Sequence, residues 1–264
     1  MDLKITILQT PLHWESKEKN IEMFSEKLAA ITEATDVIVL PEMFSTGFSM
    51  NPEKFAESMT GPTMNWIKAK AHEKNCVITG SFIAEEDGNY FNRLVWVWPN
   101  GTFSSYDKRH LFRMGDEHNH YGFGKNKLVV ELKGWKICPL VCYDLRFPVW
   151  SRNHMVTGGG QSYDVLIYVA NWPERRNHHW KTLLLARAIE NQSYVVGLNR
   201  IGNDGNDISH SGDSAVIDPK GVIISKTKAG EESIETITLN YSELQEYRKA
   251  FPAALDADDF KITE

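Results

Sequence analysis

Two periodicities take turns along this chain. Short apolar runs at residues 3–9, 36–40, 77–84, 91–98, 102–106, 136–141, 164–170, 193–199 and 234–239 predict strands. Between them, 3.6-residue spacing predicts helices. Residues 17–32 put Ile21, Phe24, Leu28 and Ile31 on one face, and 174–191 do the same with Trp180, Leu183, Leu184 and Ala188. Further helices are predicted at 62–74, 149–155 and 241–251. Glu85-Glu86-Asp87-Gly88-Asn89 closes a hairpin through its Asp-Gly pair. A second hairpin is expected at 215–217 and 222–225 around Asp218-Pro219-Lys220-Gly221. Residues 113–124 and 201–211 read as loops, 48–60 as loop with a short helix, 157–160 as a Gly turn, and 252–264 as a polar tail. Several strands are apolar at successive positions, as in a sheet covered on both faces. Alternation without a linker or repeat predicts a single α/β domain over 1–264.

Composition narrows the function. The 264 residues carry a formal net charge of -6, with no Lys/Arg run, which argues against nucleic acid as a partner. No apolar run reaches the roughly 20 residues needed to span a bilayer. Met1-Asp2-Leu3-Lys4 leads into a strand pattern and not an apolar leader. The cysteines are Cys76, Cys138 and Cys142. Cys138 and Cys142 lie about 13 Å apart along an extended strand, beyond disulfide reach. A sparse, odd set of thiols fits a reducing cytoplasm.

The chemistry gathers at strand ends. Cys142 follows the strand at 136–141, and Phe147-Pro148 starts the next helix, with Pro tolerated in its first turn. A thiol there is either a small buried hydrophobe or a nucleophile facing backbone N–H groups. Glu42 follows the strand at 36–40 and Lys108 the strand at 102–106. Each could face water alone. In an α/β sheet such ends converge on one edge, where ligands bind. Together they suit amide hydrolysis. Glu42 takes the thiol proton, Lys108 and the Tyr143 N–H stabilise the oxyanion, and water clears the acyl-enzyme. Asp116, Glu117, His118 and His120 give only a weak metal pattern, and no metal or other cofactor is expected. His178 and His179 read as helix surface.

Three motifs then carry a resemblance. Pro41-Glu42-Met43-Phe44, Asp107-Lys108-Arg109-His110-Leu111-Phe112 and Val141-Cys142-Tyr143-Asp144-Leu145-Arg146-Phe147-Pro148 follow one another in the order of the nitrilase superfamily of carbon–nitrogen hydrolases. The chain resembles that superfamily over nearly its whole length. The resemblance implies a four-layer α-β-β-α sandwich, commonly a homodimer. It also implies a Glu42–Lys108–Cys142 triad, and a second glutamate at Glu117, with Tyr121 and Gly124 in register. Asp107 to Met114, Asn171-Trp172-Pro173 and Ala186-Arg187-Ala188-Ile189-Glu190-Asn191-Gln192 are similar to the bacterial omega-amidase branch. That branch cleaves the terminal amide of 2-oxoglutaramate or 2-oxosuccinamate. A carboxylate on such a substrate needs a cation: Arg146, Arg175 or Arg176, with Arg175 and Arg176 favoured by their place past a strand end. Phe44, Tyr121 and Trp172 are expected to line the pocket, although aromatics at such positions also serve as core. Two alternatives stay open: another hydrolase of the superfamily acting on a nitrile or an N-carbamoyl amide, and a silent scaffold on the same fold.

Overall fold

The computed structural model describes residues 1–156 and 159–262. The elements run in the order β1 (Leu3–Gln9), α1 (Lys17–Ala30), β2 (Val37–Val39), α2 (Pro52–Phe55), α3 (Pro62–Lys74), β3 (Val77–Glu86), β4 (Asn89–Val97) and β5 (Phe103–Asp107). They continue with α4 (Glu117–His120), β6 (Val130–Leu132), β7 (Trp135–Val141), α5 (Pro148–Ser151), β8 (Val165–Ala170), α6 (Asn177–Asn191) and β9 (Tyr194–Asn199). Last come β10 (Ile201–Asn203), β11 (Ser209–Ser211), β12 (Ala215–Ile217), β13 (Ser233–Leu239) and α7 (Tyr241–Ala250).

Two sheets face each other. One has the order β13-β1-β2-β3-β4-β5, the other β12-β9-β8-β7-β6. Period-two alternation assigns their faces. Val37 and Val39 join Ile137 and Val141 between the sheets, while Leu140, level with Tyr168 and Gly197, faces α6. Ile38 turns outward to Phe24 and Leu28 of α1 and Met64 and Ile67 of α3. On the far side α6 lays Trp180, Leu184 and Ala188 against β9. It can come that close because position 197 is glycine: a Cβ there would stand 2.4 Å from the Leu184 side chain. The result is a four-layer α-β-β-α sandwich.

β1, β2 and β3 run parallel, as do β7, β8 and β9. β5 reverses twice through β4 and so points the same way as β3. The C-terminal ends of β2, β5, β7 and β8 therefore open on the same edge of the sandwich. Among the described residues, no helix is long and apolar enough to cross a membrane.

Several expectations need correction. The helix predicted at 149–155 ends at Ser151. Asn153 stops it, because its side chain binds Gln161, Ser162, Tyr163 and Ser193 and competes with the helical ladder. The loop at 113–124 contains a 3₁₀ turn at Arg113–Gly115 and then α4. The loop at 201–211 is a hairpin of β10 and β11. The return strand at 222–225 is reduced to a single bridge, Ile217 to Ile223. There the Asp218 carboxylate takes the Lys220 and Val222 N–H groups and curls the chain away. β6 was not expected. Thr157 and Gly158 of the predicted Gly turn lie outside the described residues.

Candidate active site

Glu42 sits just past β2, Lys108 just past β5, and Cys142 just past β7. Glu117 is the first residue of α4. All four come together, and Glu42, Lys108 and Glu117 are fully buried. The Lys108 Nζ donates to Glu42 Oε1 at 2.9 Å and to Glu117 Oε2 at 2.8 Å and Oε1 at 3.0 Å. It also lies over the Phe48 ring. Burial alone would lower the lysine pKa, but the Glu117 and Glu42 charges more than offset it and hold the ammonium well above its usual range.

The two carboxylates are held differently. Glu117 accepts from Lys108 and Asn92 on Oε1, and from Lys108 and the Phe112 N–H on Oε2. Its lone pairs are taken up by donors. Burial raises its pKa, and Lys108 pulls it back. Glu42 accepts from Lys108 and Asn92 on Oε1 and from the Asn171 N–H on Oε2, at 2.8 Å, and the Cys142 thiol hydrogen-bonds to the same carboxylate. Glu42 thus has room for the thiol proton. Of the two, Glu42 can serve as a base and Glu117 as a fixed anion.

Cys142 adopts φ +43°, and Met43, which follows Glu42, adopts φ +44°. Left-handed backbone at non-glycine residues is costly and tends to persist where function needs a sharp turn. Here it turns the chain from β7 into a 3₁₀ turn, Cys142–Arg146. The first N–H groups of such a turn, Tyr143 among them, lack partners within it. Burial, and then Glu42, push the thiol well above its ordinary pKa, while Lys108 opposes them. The thiol is therefore protonated at neutral pH and needs a base to react.

Asp144 locks this turn to the lysine segment. Its Oδ2 accepts the Val141 N–H and the Tyr106 hydroxyl, and its Oδ1 accepts the His110 N–H at 3.1 Å. His110 Nδ1 lies 2.8 Å from the same oxygen, and its ring stacks on Phe147. Gly124 closes over the segment from the other side, donating its N–H to Lys108 O; a Cβ at 124 would stand 1.9 Å from Asp107 O.

Cys142 opens on a two-sided cleft. Phe48, Met50, Phe112 and Met114 form an apolar wall, and Arg146, Arg175 and Arg176 a cationic one. The Arg146 guanidinium lies over Trp172, and that of Arg176 over Phe112. Trp172 Nε1 donates to the Arg176 carbonyl and fixes that stretch. Burial, then Arg175 and Arg146, lower the Arg176 pKa. None of the three arginines pairs with a carboxylate among the described residues.

Of the expected pocket residues, Tyr143, Trp172, Arg175 and Arg176 line the cleft and Arg146 joins them. Phe44 and Tyr121 do not. Phe44 is core, edge-on to Phe24 and beside Trp66, because the turn after Glu42 points it at the α1–α3 layer. Tyr121 packs with Met43, Phe55 and Ile83 and donates its hydroxyl to Ser49 O. Asn92 was not singled out, and Asp144 and Asn171 were quoted only within motifs, without a role of their own. An Asn amid the apolar run of β4, and an Asp two residues after the cysteine, were the available signals.

The carbon–nitrogen hydrolase family profile matches residues 4–249. The chain belongs to the carbon–nitrogen hydrolase family. It is 50% identical over 261 residues to omega-amidase YafV of Escherichia coli strain K12, covering 98% of each chain. It is 33% identical over 256 residues to 2-oxoglutaramate amidase of Bacillus subtilis, covering 96% of each. A solved CN-hydrolase superfamily protein from Xanthomonas campestris, which carries an arsenic adduct in its active site, superposes with a TM-score of 0.97 over 100% of both chains at 43% identity. The nitrilase-superfamily resemblance read from the three motifs and the sandwich it implied both hold.

Proposed function

We propose that the protein is an omega-amidase, hydrolysing the terminal amide of a small 2-oxo dicarboxylic acid monoamide such as 2-oxoglutaramate or 2-oxosuccinamate. The observation that carries this reading is a buried thiol beside a Glu–Lys–Glu network, at the floor of a cleft with three arginines unpaired to any carboxylate among the described residues.

The substrate carboxylate binds the cationic wall, with Arg176 as its main partner, because its guanidinium lies over Phe112 within electrostatic reach of Cys142. Its amide carbon then reaches Cys142. Glu42 takes the thiol proton as Sγ attacks. The oxyanion is met by Lys108 Nζ and the Tyr143 N–H. Glu42 returns the proton to the leaving nitrogen, ammonia departs, and a thioester remains. Water, deprotonated by Glu42, attacks the thioester and releases the 2-oxo acid. Glu117 stays anionic throughout and holds Lys108 in place. Glutamine and asparagine carry the same amide and carboxylate plus an ammonium, which three guanidiniums repel.

The test is ammonia release from 2-oxoglutaramate beside succinamate, glutamine, N-carbamoyl-β-alanine and a simple aliphatic nitrile. Preference for the dicarboxylate monoamides is expected, with glutamine poor. Turnover of only the nitrile or carbamoyl compound would keep the nucleophile and discard the substrate class. We extend the proposal to one hydrolase domain working as a cytoplasmic homodimer. The superfamily resemblance supports the dimer, and the three free thiols suit a reducing compartment. Sedimentation equilibrium tests the dimer.

A further inference from the structure

Asn92 stands in the middle of β4, fully buried, and touches the network at three points. Its backbone carbonyl accepts the Lys108 N–H at 3.0 Å. Its Nδ2 donates to Glu42 Oε1 at 2.9 Å and to Glu117 Oε1 at 3.1 Å. The two protons of one amide thus serve the two carboxylates. The amide orientation is unambiguous, since the reverse would aim Oδ1 at two acceptors. The cost falls on Oδ1 itself, which is buried without a hydrogen-bond partner among the described residues. A side chain that leaves its own acceptor unmet while bridging two anions breaks a local rule, as functional positions do.

The charge balance explains why an amide is needed there. Two carboxylates share one ammonium, and all three groups are fully buried. Like charges so placed tend to share a proton. A second cation would cancel that repulsion but would also leave Glu42 too weak a base for the thiol. A neutral donor pair stabilises both anions and leaves their charge in place. The groups facing them are Lys108 from the end of β5, Cys142 after β7, and the Tyr121 hydroxyl beyond α4. Of these, Lys108 also donates to both carboxylates, but as the cation they already share, and Asn92 is the neutral donor that bridges them.

We propose that Asn92 is a positioning residue whose amide keeps Glu42 and Glu117 both ionised at working pH, so that Glu42 is free to act as the base. The inference rests on the amidase reading only for the identity of the substrate. The thiol can be examined without it.

The experiment measures alkylation of Cys142 by iodoacetamide against pH, for wild type, Asn92→Leu and Asn92→Asp, with thermal melting as a check on folding. Where the amidase substrate is turned over, the pH profile of kcat/KM is measured as well. Loss of the donors makes the carboxylate pair harder to ionise. The acid limb should move up by about one pH unit in Asn92→Leu, and further in Asn92→Asp, which adds a third acid. KM should stay within about twofold, since Asn92 does not line the cleft. Should the Leu variant fail to fold, the near-isosteric Asp variant decides. A folded variant whose acid limb superposes on wild type overturns the proposal. Failure of the whole substrate panel with a shifted alkylation profile would discard the amidase reading and keep this one.

Discussion

Tyr106 donates its hydroxyl to Asp144 Oδ2 at 2.7 Å, and both side chains are fully or almost fully buried. The contact ties β5, which ends at Lys108, to the turn that presents Cys142. The hydroxyl is itself an acceptor, for Trp150 Nε1 and the Arg109 N–H. Burial, then the Asp144 charge, hold it protonated far into the alkaline range. Tyr106→Phe leaves Trp150 Nε1 without this partner and Asp144 one donor short. The variant should lose about 1–3 kcal/mol in urea unfolding. Its kcat should fall at least about tenfold with KM little changed, since the link bears on the reacting groups and not on the cleft wall.

Gly124 makes a second claim on the lysine segment. Gly124→Ala drives a methyl into the Asp107 carbonyl, which is backbone and cannot swing aside. Overpacking of this kind costs about 1–3 kcal/mol. The strain is released at Lys108, so kcat should drop more than that loss of stability implies. Parallel melting and steady-state measurements check it.

Arg176→Met should separate charge recognition from chemistry. A charged hydrogen bond contributes about 1.5–3 kcal/mol, so kcat/KM for 2-oxoglutaramate should fall about ten- to a hundredfold. Slow turnover of butyramide, which has no carboxylate, should be unchanged. A parallel fall for both amides would place Arg176 in the scaffold of the cleft and not in substrate recognition.

His210 gives the protein an acid weakness. It lies on β11 at the cleft wall, and burial, then Arg200, lower its pKa to about 4. A depressed folded-state pKa contributes stability that is fully present above the unfolded value of about 6.5 and is lost as pH falls through about 4. The size of that contribution is about 3 kcal/mol. His210→Gln, which stays neutral, should flatten the fall in unfolding free energy over this range. Urea titrations at a series of pH values read it directly.

How much of this could be read along the chain depends on whether the cause was local. β1, β2, β7, β8 and β9 were legible because strands buried on both faces leave long apolar runs. Glu42, Lys108 and Cys142 stood out because reactive side chains directly after such runs have few places to go but the sheet edge. Phe44 was misjudged: the left-handed turn at Met43, invisible in the residue types, sends it to the core. The β10–β11 hairpin was hidden by Gly202, Asp204 and Gly205, which break alternation without preventing pairing. Asn92 and Asp144 gave a signal but no role, for a different reason. A buried polar residue is explained only by its partners, and theirs lie in other elements.

The most direct test of the account is the mass of the enzyme during turnover. Enzyme mixed with 2-oxoglutaramate is quenched in acid within one turnover, digested, and its Cys142 peptide examined. The account predicts an acyl adduct on that peptide, heavier by the substrate less ammonia. It also predicts no adduct and no ammonia release in Cys142→Ala, with a melting temperature within a few degrees of wild type. Ammonia release by a folded Cys142→Ala protein, with no adduct in wild type, would contradict it.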